Sequence, residues 1–210
     1  MLTGLLILLV LVTGAVAVGG GLYVAAKRRE VSGADLPELT AGSQPLLERT
    51  VHDLRPGDVV QHNGRDYLVE GVVSYDEDGH RWSAGRLVDG KSVLWLVAGM
   101  ERLHQKSSLR MLAEDPDIEL SGYPPETLVV GELRFQLDTR GTASAKFSGD
   151  VGALPGKRGD PKYDTVERCR WWRYEAAGDD TLIVEQWGGE YRVLRGQRIA
   201  ELLLELIPGS

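Results

Sequence analysis

The apolar positions of this chain follow two different patterns. Residues 2–26, LTGLLILLVLVTGAVAVGGGLYVAA, carry no charge, and a helix of that length crosses the ~30 Å hydrocarbon layer of a bilayer. The run stops at Lys27, Arg28 and Arg29. From Leu54 onward the apolar residues come in short stretches divided by Asn63-Gly64, Asp78-Gly79 and Asp89-Gly90, dipeptides suited to type I′ hairpin turns, in which both central residues need positive φ. The pattern predicts strands over 59–62, 66–75, 81–88 and 92–97, another near 102–107, and a short helical or irregular crossing near 109–113. Pro116, Pro124 and Pro125 interrupt the text. Strands are predicted again over 128–130, 133–138, 142–147, 169–175, 181–186 and 191–194. In the closing RIAELLLELIPGS, Ala200, Leu203, Leu204 and Ile207 would share a helical face, and Leu202, Leu204 and Leu206 a strand face. The β surroundings and Pro208-Gly209 favour the strand.

The expected fold is mainly β: two related antiparallel β-meander halves packed as a sandwich or as partly open barrels, preceded by one N-terminal transmembrane helix. The expected organisation is an anchor (1–26), a cytoplasmic tether (27–53) rich in Pro, Gly, Ser and acid, a first β half (54–125) and a second (126–210). Leu46 and Leu47 are candidates to dock the tether on the domain. The halves rhyme. GHRWSAGRLVDGKSVLWL (79–96) and RCRWWRYEAAGDDTLIVEQW (168–187) both run from Arg-Trp through a polar turn to an aliphatic strand ending in Trp95 or Trp187, which is either a duplicated hairpin or coincidence.

Ala15-Val16-Ala17 imitates a signal-peptidase site, but the run lacks a positive n-region and continues well past it, which favours a retained anchor. Cations follow the span and none precede it, so the expected orientation is N-terminus out and domain in the cytoplasm, at the inner membrane. Thr13, Ala17, Gly21 and Ala25 recur every four residues. That stripe is either a helix-packing face for a homo-oligomer or ordinary membrane-helix composition.

Charge and cysteine narrow the chemistry. A formal net charge of -7 argues against a general grip on nucleic acid, which relies on clustered Lys and Arg. Cys169 is the one cysteine, so no intramolecular disulfide forms, and the four histidines have no zinc-site spacing. No cofactor or metal is expected. ERCRWWRYE (167–175) draws attention as a base-stacking platform, an anion patch or a covered strand. As a strand it places Cys169, Trp171, Arg173 and Glu175 on one face and Arg168, Arg170, Trp172 and Tyr174 on the other. Arginine laid over indole accounts for the composition without a partner. The candidate interaction surface is Trp82, Trp95, Arg170, Trp171, Trp172, Arg173, Tyr174 and Trp187. GDVGALPGKRGDPKYD (149–164) fails as a phosphate loop, since Val151 stands at the first glycine and Arg158 at the hydroxyl position. It is a candidate flexible contact loop through Lys157 and Arg158. DEDG (76–79) reads as an acidic hairpin tip, and hydrolase signatures are missing.

DLRPGDVVQHNGRDYLVEGVVSYDEDGHRW (53–82), LWL (94–96), RFQLDTRGTASA (134–145), RWWRYE (170–175) and EQWGGEYRVLRG (185–196) resemble a bacterial membrane-anchored family catalogued as domain of unknown function 4178. The resemblance implies a β-rich cytoplasmic domain on one anchor, with protein partners from a phage-shock-type or related envelope-stress locus. It supplies no catalytic residues. The expected function is non-enzymatic: a single-pass membrane protein whose cytoplasmic domain binds partner proteins or the inner leaflet. The alternative is a sensor for a polyamine-like cation, with Trp82, Trp95, Trp171, Trp172 and Trp187 lining a pocket between the halves. A third reading is an enzyme with unrecognised acid/base groups.

Overall fold

The computed structural model describes residues 49–102, 109–153 and 166–209. The anchor at 2–26, its small-residue stripe, the tether with Leu46 and Leu47, the strand expected near 102–107 and the Lys157-Arg158 loop tip lie outside the described residues, apart from 49–53 of the tether and Arg102. Among the described residues no helix is long and apolar enough to cross a membrane.

The described chain is built from eleven strands: β1 (Val59–His62), β2 (Arg65–Glu77), β3 (His80–Asp89), β4 (Ser92–Ala98), β5 (Leu109–Glu114), β6 (Thr127–Val130), β7 (Leu133–Gly149), β8 (Glu167–Glu175), β9 (Asp180–Trp187), β10 (Glu190–Ile199) and β11 (Leu204–Ile207). Their order is β11-β1-β2-β3-β4-β5-β10-β9-β8-β7-β6, and a further β2–β7 pairing closes β2-β3-β4-β5-β10-β9-β8-β7 into one eight-stranded antiparallel barrel. The expected sandwich or pair of partly open barrels is therefore corrected to a single closed barrel. Closure depends on β5–β10 and β2–β7, contacts between residues far apart in sequence that no local pattern specifies.

Several boundaries move for physical reasons. Residues 109–113 form a strand, because β4 and β10 supply a hydrogen-bonding edge on each side. The expected break between 138 and 142 is a β-bulge inside one long β7. Asn63-Gly64 and Asp78-Gly79 both have positive φ at each residue, as type I′ requires. In the third turn Asp89 already pairs with Ser92, and Gly90 has positive φ without Lys91, which is the type II′ pattern. The last segment is a 3-10 turn (Glu201–Leu203) followed by β11.

The bulges give the long strands two cores each. In β2 the pairing slips between Val69 and Gly71. Tyr67, Val69 and Val72 pack outside the barrel with Val51, Leu54, Val60, Leu87 and Leu96, beneath the β1–β11 flap. Val73 and Tyr75 point into the barrel with Trp82, Trp95, Leu112, Trp171, Ile183, Trp187 and Leu194. In β7 the slip falls between Leu137 and Thr139. Phe135 packs outside with Trp172, Tyr174, Leu182, Val184 and Val193, covered by Ile118, Leu120 and Leu128, and Ala143, Ala145 and Phe147 point in. An extra residue reverses which side the later positions face.

The registers also relate β1–β5 to β6–β10. Matching the two turn-and-bulge strands makes Glu70 correspond to Asp138, Arg86 to Arg173, Trp95 to Ile183 and Arg110 to Arg192. An approximate two-fold through the Asp76–Ser144 and Ala113–Arg195 pairs reproduces both closing contacts. On this correspondence Trp82 matches Cys169 and Trp171 matches Ala84, so the Arg-Trp rhyme of the sequence is offset by one pleat from the structural equivalence.

Candidate functional site

The alternation of β8 places its residues as the strand periodicity predicts, but its aromatic residues are covered on both faces. Trp171 and Cys169 lie inside the barrel; Trp172 and Tyr174 lie outside it under the β6 side. Trp82, Trp95, Trp171, Trp172, Tyr174 and Trp187 are all buried, Arg173 is half-buried, and Arg170 is exposed. The eight residues proposed as an interaction surface are thus chiefly core. The tryptophans expected to line a pocket pack against other core rings: Trp82 stacks on Tyr75 at 5.1 Å and meets Trp171 edge-on at 5.5 Å. Of the β8 arginines, Arg173 serves as an ion-pair partner. Arg173 bridges Asp138, Glu101 and Glu175.

Inside the barrel a polar group is built around Glu185 of β9. Its Oε1 accepts from the Tyr75 hydroxyl at 2.7 Å; its Oε2 accepts from Trp187 Nε1 at 3.0 Å and from Arg192 Nε at 3.0 Å and Nη2 at 2.5 Å. The Arg192 guanidinium lies 4.3 Å from the centre of the Trp95 ring, a cation–π contact that partly replaces the water it has lost. Burial pulls the Arg192 pKa down, but the charge of Glu185, its hydrogen bond and the charges of further acidic groups including Glu114 together outweigh this and hold the group protonated. Burial, reinforced by the charge of Glu185, pushes the Tyr75 hydroxyl and the Cys169 thiol well above their ordinary values. Both oxygens of Glu185 are occupied and Cys169 is kept as a thiol, which makes this group a fixed counter-ion assembly.

Toward the opposite end, the matching arginine has its own cage. Arg110 Nη1 meets Glu101 at 2.5 Å, Nη2 meets Glu175 at 2.9 Å and Nε donates to Thr181 Oγ1 at 3.3 Å. Each bulge carboxylate binds the arginine opposite it, Glu70 with Arg86 and Asp138 with Arg173. Sequence reasoning missed Arg110, Arg192, Glu185 and Tyr75 as a set. The available signal is parity: an arginine between Leu109 and Met111 faces the side opposite to them in a strand, a signal that vanishes if 109–113 is a helical or irregular crossing.

The solvent face adds two features. A cleft of about 650 Å³ lies between residues 114–122 and the start of β10. Leu202 and Leu203 are exposed, 85% and 50%, on the 3-10 turn that leads into the edge strand β11. Residues 49–58 pass close by: His52 lies 4.0 Å from Glu201, and Asp58 accepts the Gly209 N–H at 2.8 Å.

A family model described as a domain of unknown function, DUF4178, matches residues 55–201. The chain belongs to that family. The match runs from just before β1 to the 3-10 turn, so the barrel is the DUF4178 domain and the Leu202-Leu203 tip with β11 lies just past its end. No curated protein and no solved structure matches the chain.

Proposed function

We propose that this DUF4178 chain is a non-enzymatic docking protein, held in a bacterial cytoplasmic membrane by residues 2–26, whose barrel receives a partner protein at its β11 edge on the cytoplasmic side. The observation that carries this reading is the Leu202-Leu203 tip. Two leucines stand in solvent at the end of a sheet edge, beside the segment through which the domain joins the rest of the chain. An exposed apolar tip next to a strand edge that has no partner among the described residues is the geometry used in strand addition. Glu201 and Glu205 flank the tip and Asp66 lies in register across β1. Acid at that place would be repelled by an anionic leaflet and attracted to an extended partner segment carrying Lys or Arg between apolar residues, which favours protein over lipid. The envelope-stress setting and the N-out orientation rest on the family resemblance and on the cations after residue 26.

The test is photo-crosslinking of the full chain in membranes with a photoreactive residue at Leu202 or Leu203, and at Val129 on the opposite sheet edge as control. The expected result is one discrete protein adduct from 202 and 203 that is missing from 129. Adducts to lipid alone, or equal labelling at all three positions, would reject the reading.

A further inference from the structure

Arg110 and Arg192 stand at corresponding places on β5 and β10, and each is almost completely buried. Every nitrogen of the Arg110 guanidinium has a partner, with Glu101 on Nη1. Following the strand correspondence past the end of β4, the position that matches Glu101 is Gly189, in the turn between β9 and β10. That position carries no carboxylate, and the main counter-charge of Arg192 comes instead from Glu185 on its Nη2 and Nε side. Arg192 Nη1 makes no hydrogen bond, and it is ion-paired with Oε1 of the half-exposed Glu114 at 3.6 Å, beyond hydrogen-bond distance.

The cleft opens at this place. Gly189, Glu190, Tyr191, Arg192 and Val193 form one wall and residues 114–122 the other. The walls are held in position: the Tyr191 hydroxyl donates to the Gly122 carbonyl at 2.6 Å, the Asp115 N–H to the Val193 carbonyl at 2.9 Å, and the Asp115 carboxylate lies 3.3 Å from Arg195 Nε. Glu114, Glu119 and Glu190 give the rest of the cleft a negative lining.

We propose that this cleft binds a small zwitterion of the basic amino-acid class, its carboxylate taking on Arg192 Nη1 the place that Glu101 takes on Arg110, and its ammonium groups meeting Glu114 and Glu119. A buried guanidinium N–H left without an acceptor is costly, and the matching site shows that a carboxylate satisfies it. A simple carboxylate would be repelled by the glutamates, and a polyamine would leave Nη1 unanswered. A ligand bearing both charges meets both demands, and the cleft volume falls in the range of small-molecule sites.

The experiment titrates the full chain in detergent with L-lysine, acetate and spermidine, following heat and tryptophan emission, since Trp95 lies against Arg192. Saturable binding of L-lysine is expected, at least tenfold tighter than that of acetate or spermidine. A Gly189→Glu variant supplies a carboxylate from the chain itself; an added Cβ at Gly189 meets nothing within 4 Å. This variant should lose at least tenfold in L-lysine affinity, while Gly189→Ala keeps it. No saturable L-lysine binding, spermidine binding of equal strength, or unchanged L-lysine affinity in Gly189→Glu would each overturn the proposal.

Discussion

Glu185 accepts hydrogen bonds from Tyr75, Trp187 and Arg192 in the barrel interior, and the consequence is an asymmetry among its substitutions. Removing the Tyr75 hydroxyl takes away one hydrogen bond to a charged acceptor, so Tyr75→Phe should cost roughly 1.5–3 kcal/mol of unfolding free energy. Glu185→Gln leaves a buried guanidinium without its counter-charge and should cost about 3–5 kcal/mol; replacing both members, in Glu185→Leu with Arg192→Met, should cost less than Glu185→Leu alone. Urea titration of the four variants and of Arg192→Met measures the order, and a double loss equal to the sum of the Glu185→Leu and Arg192→Met losses would show that the pair is not coupled. Cys169 is governed by the same surroundings. Its thiol is buried and its pKa pushed up, first by burial and then by the charge of Glu185. The native protein should therefore react with a thiol reagent at pH 8 at least a hundredfold more slowly than the urea-unfolded chain, because the thiolate is the reactive form.

Two long strands, β2 and β7, decide how the elements fit together, since each changes partner and core partway along its length. The bulge in β2 is followed by Gly71, and a Cβ built there would lie 2.3 Å from the Asp150 carbonyl oxygen. The neighbour is backbone, so it cannot swing aside. Gly71→Ala should lower stability by roughly 1–3 kcal/mol, read as a fall of about 2–4 °C in Tm per kcal/mol for a domain of this size; an unchanged Tm would mean that the residue 150 segment yields. Most of the strands were legible from alternation and turn dipeptides, including β1 to its ends. The bulges were not. A residue such as Asp138 reads as an interruption in the alternation until its pairing with β8 and its contact with Arg173 are known. The candidate site was legible in the opposite sense: the tryptophans flagged as a surface are buried by layers, β6 and residues 118–120 among them, that carry no local mark of where they fold back.

For the molecule as a whole, the buried acids that must stay protonated set its behaviour with pH. The ordinary value is 9.0 for a thiol and 10.0 for a tyrosine; Cys169 and Tyr75 are raised well above these, and Tyr174 is pushed up to about 12 by burial and then by the charge of Glu126. The native state keeps these protons where the unfolded chain has released them. The stability they contribute is therefore complete below about pH 9 and is lost as the pH rises toward the folded-state values. The urea midpoint should decline between pH 9 and 12, and less steeply in Tyr75→Phe; a decline of equal slope in both proteins would remove Tyr75 as a cause.

The sequence by itself determined the family, the β character, the hairpin turns and the parity of most strands, because hydrophobic alternation and positive-φ dipeptides act over a few residues. It also determined the uncharged run at 2–26. Only the tertiary structure decided that the meanders close into one barrel, that the tryptophans of the aromatic strand are buried on both of its sides, and that Arg110 and Arg192 occupy matching places with different carboxylate partners. Those outcomes depend on the β2–β7 and β5–β10 pairings, which join positions distant in the chain through backbone hydrogen bonds indifferent to side-chain type.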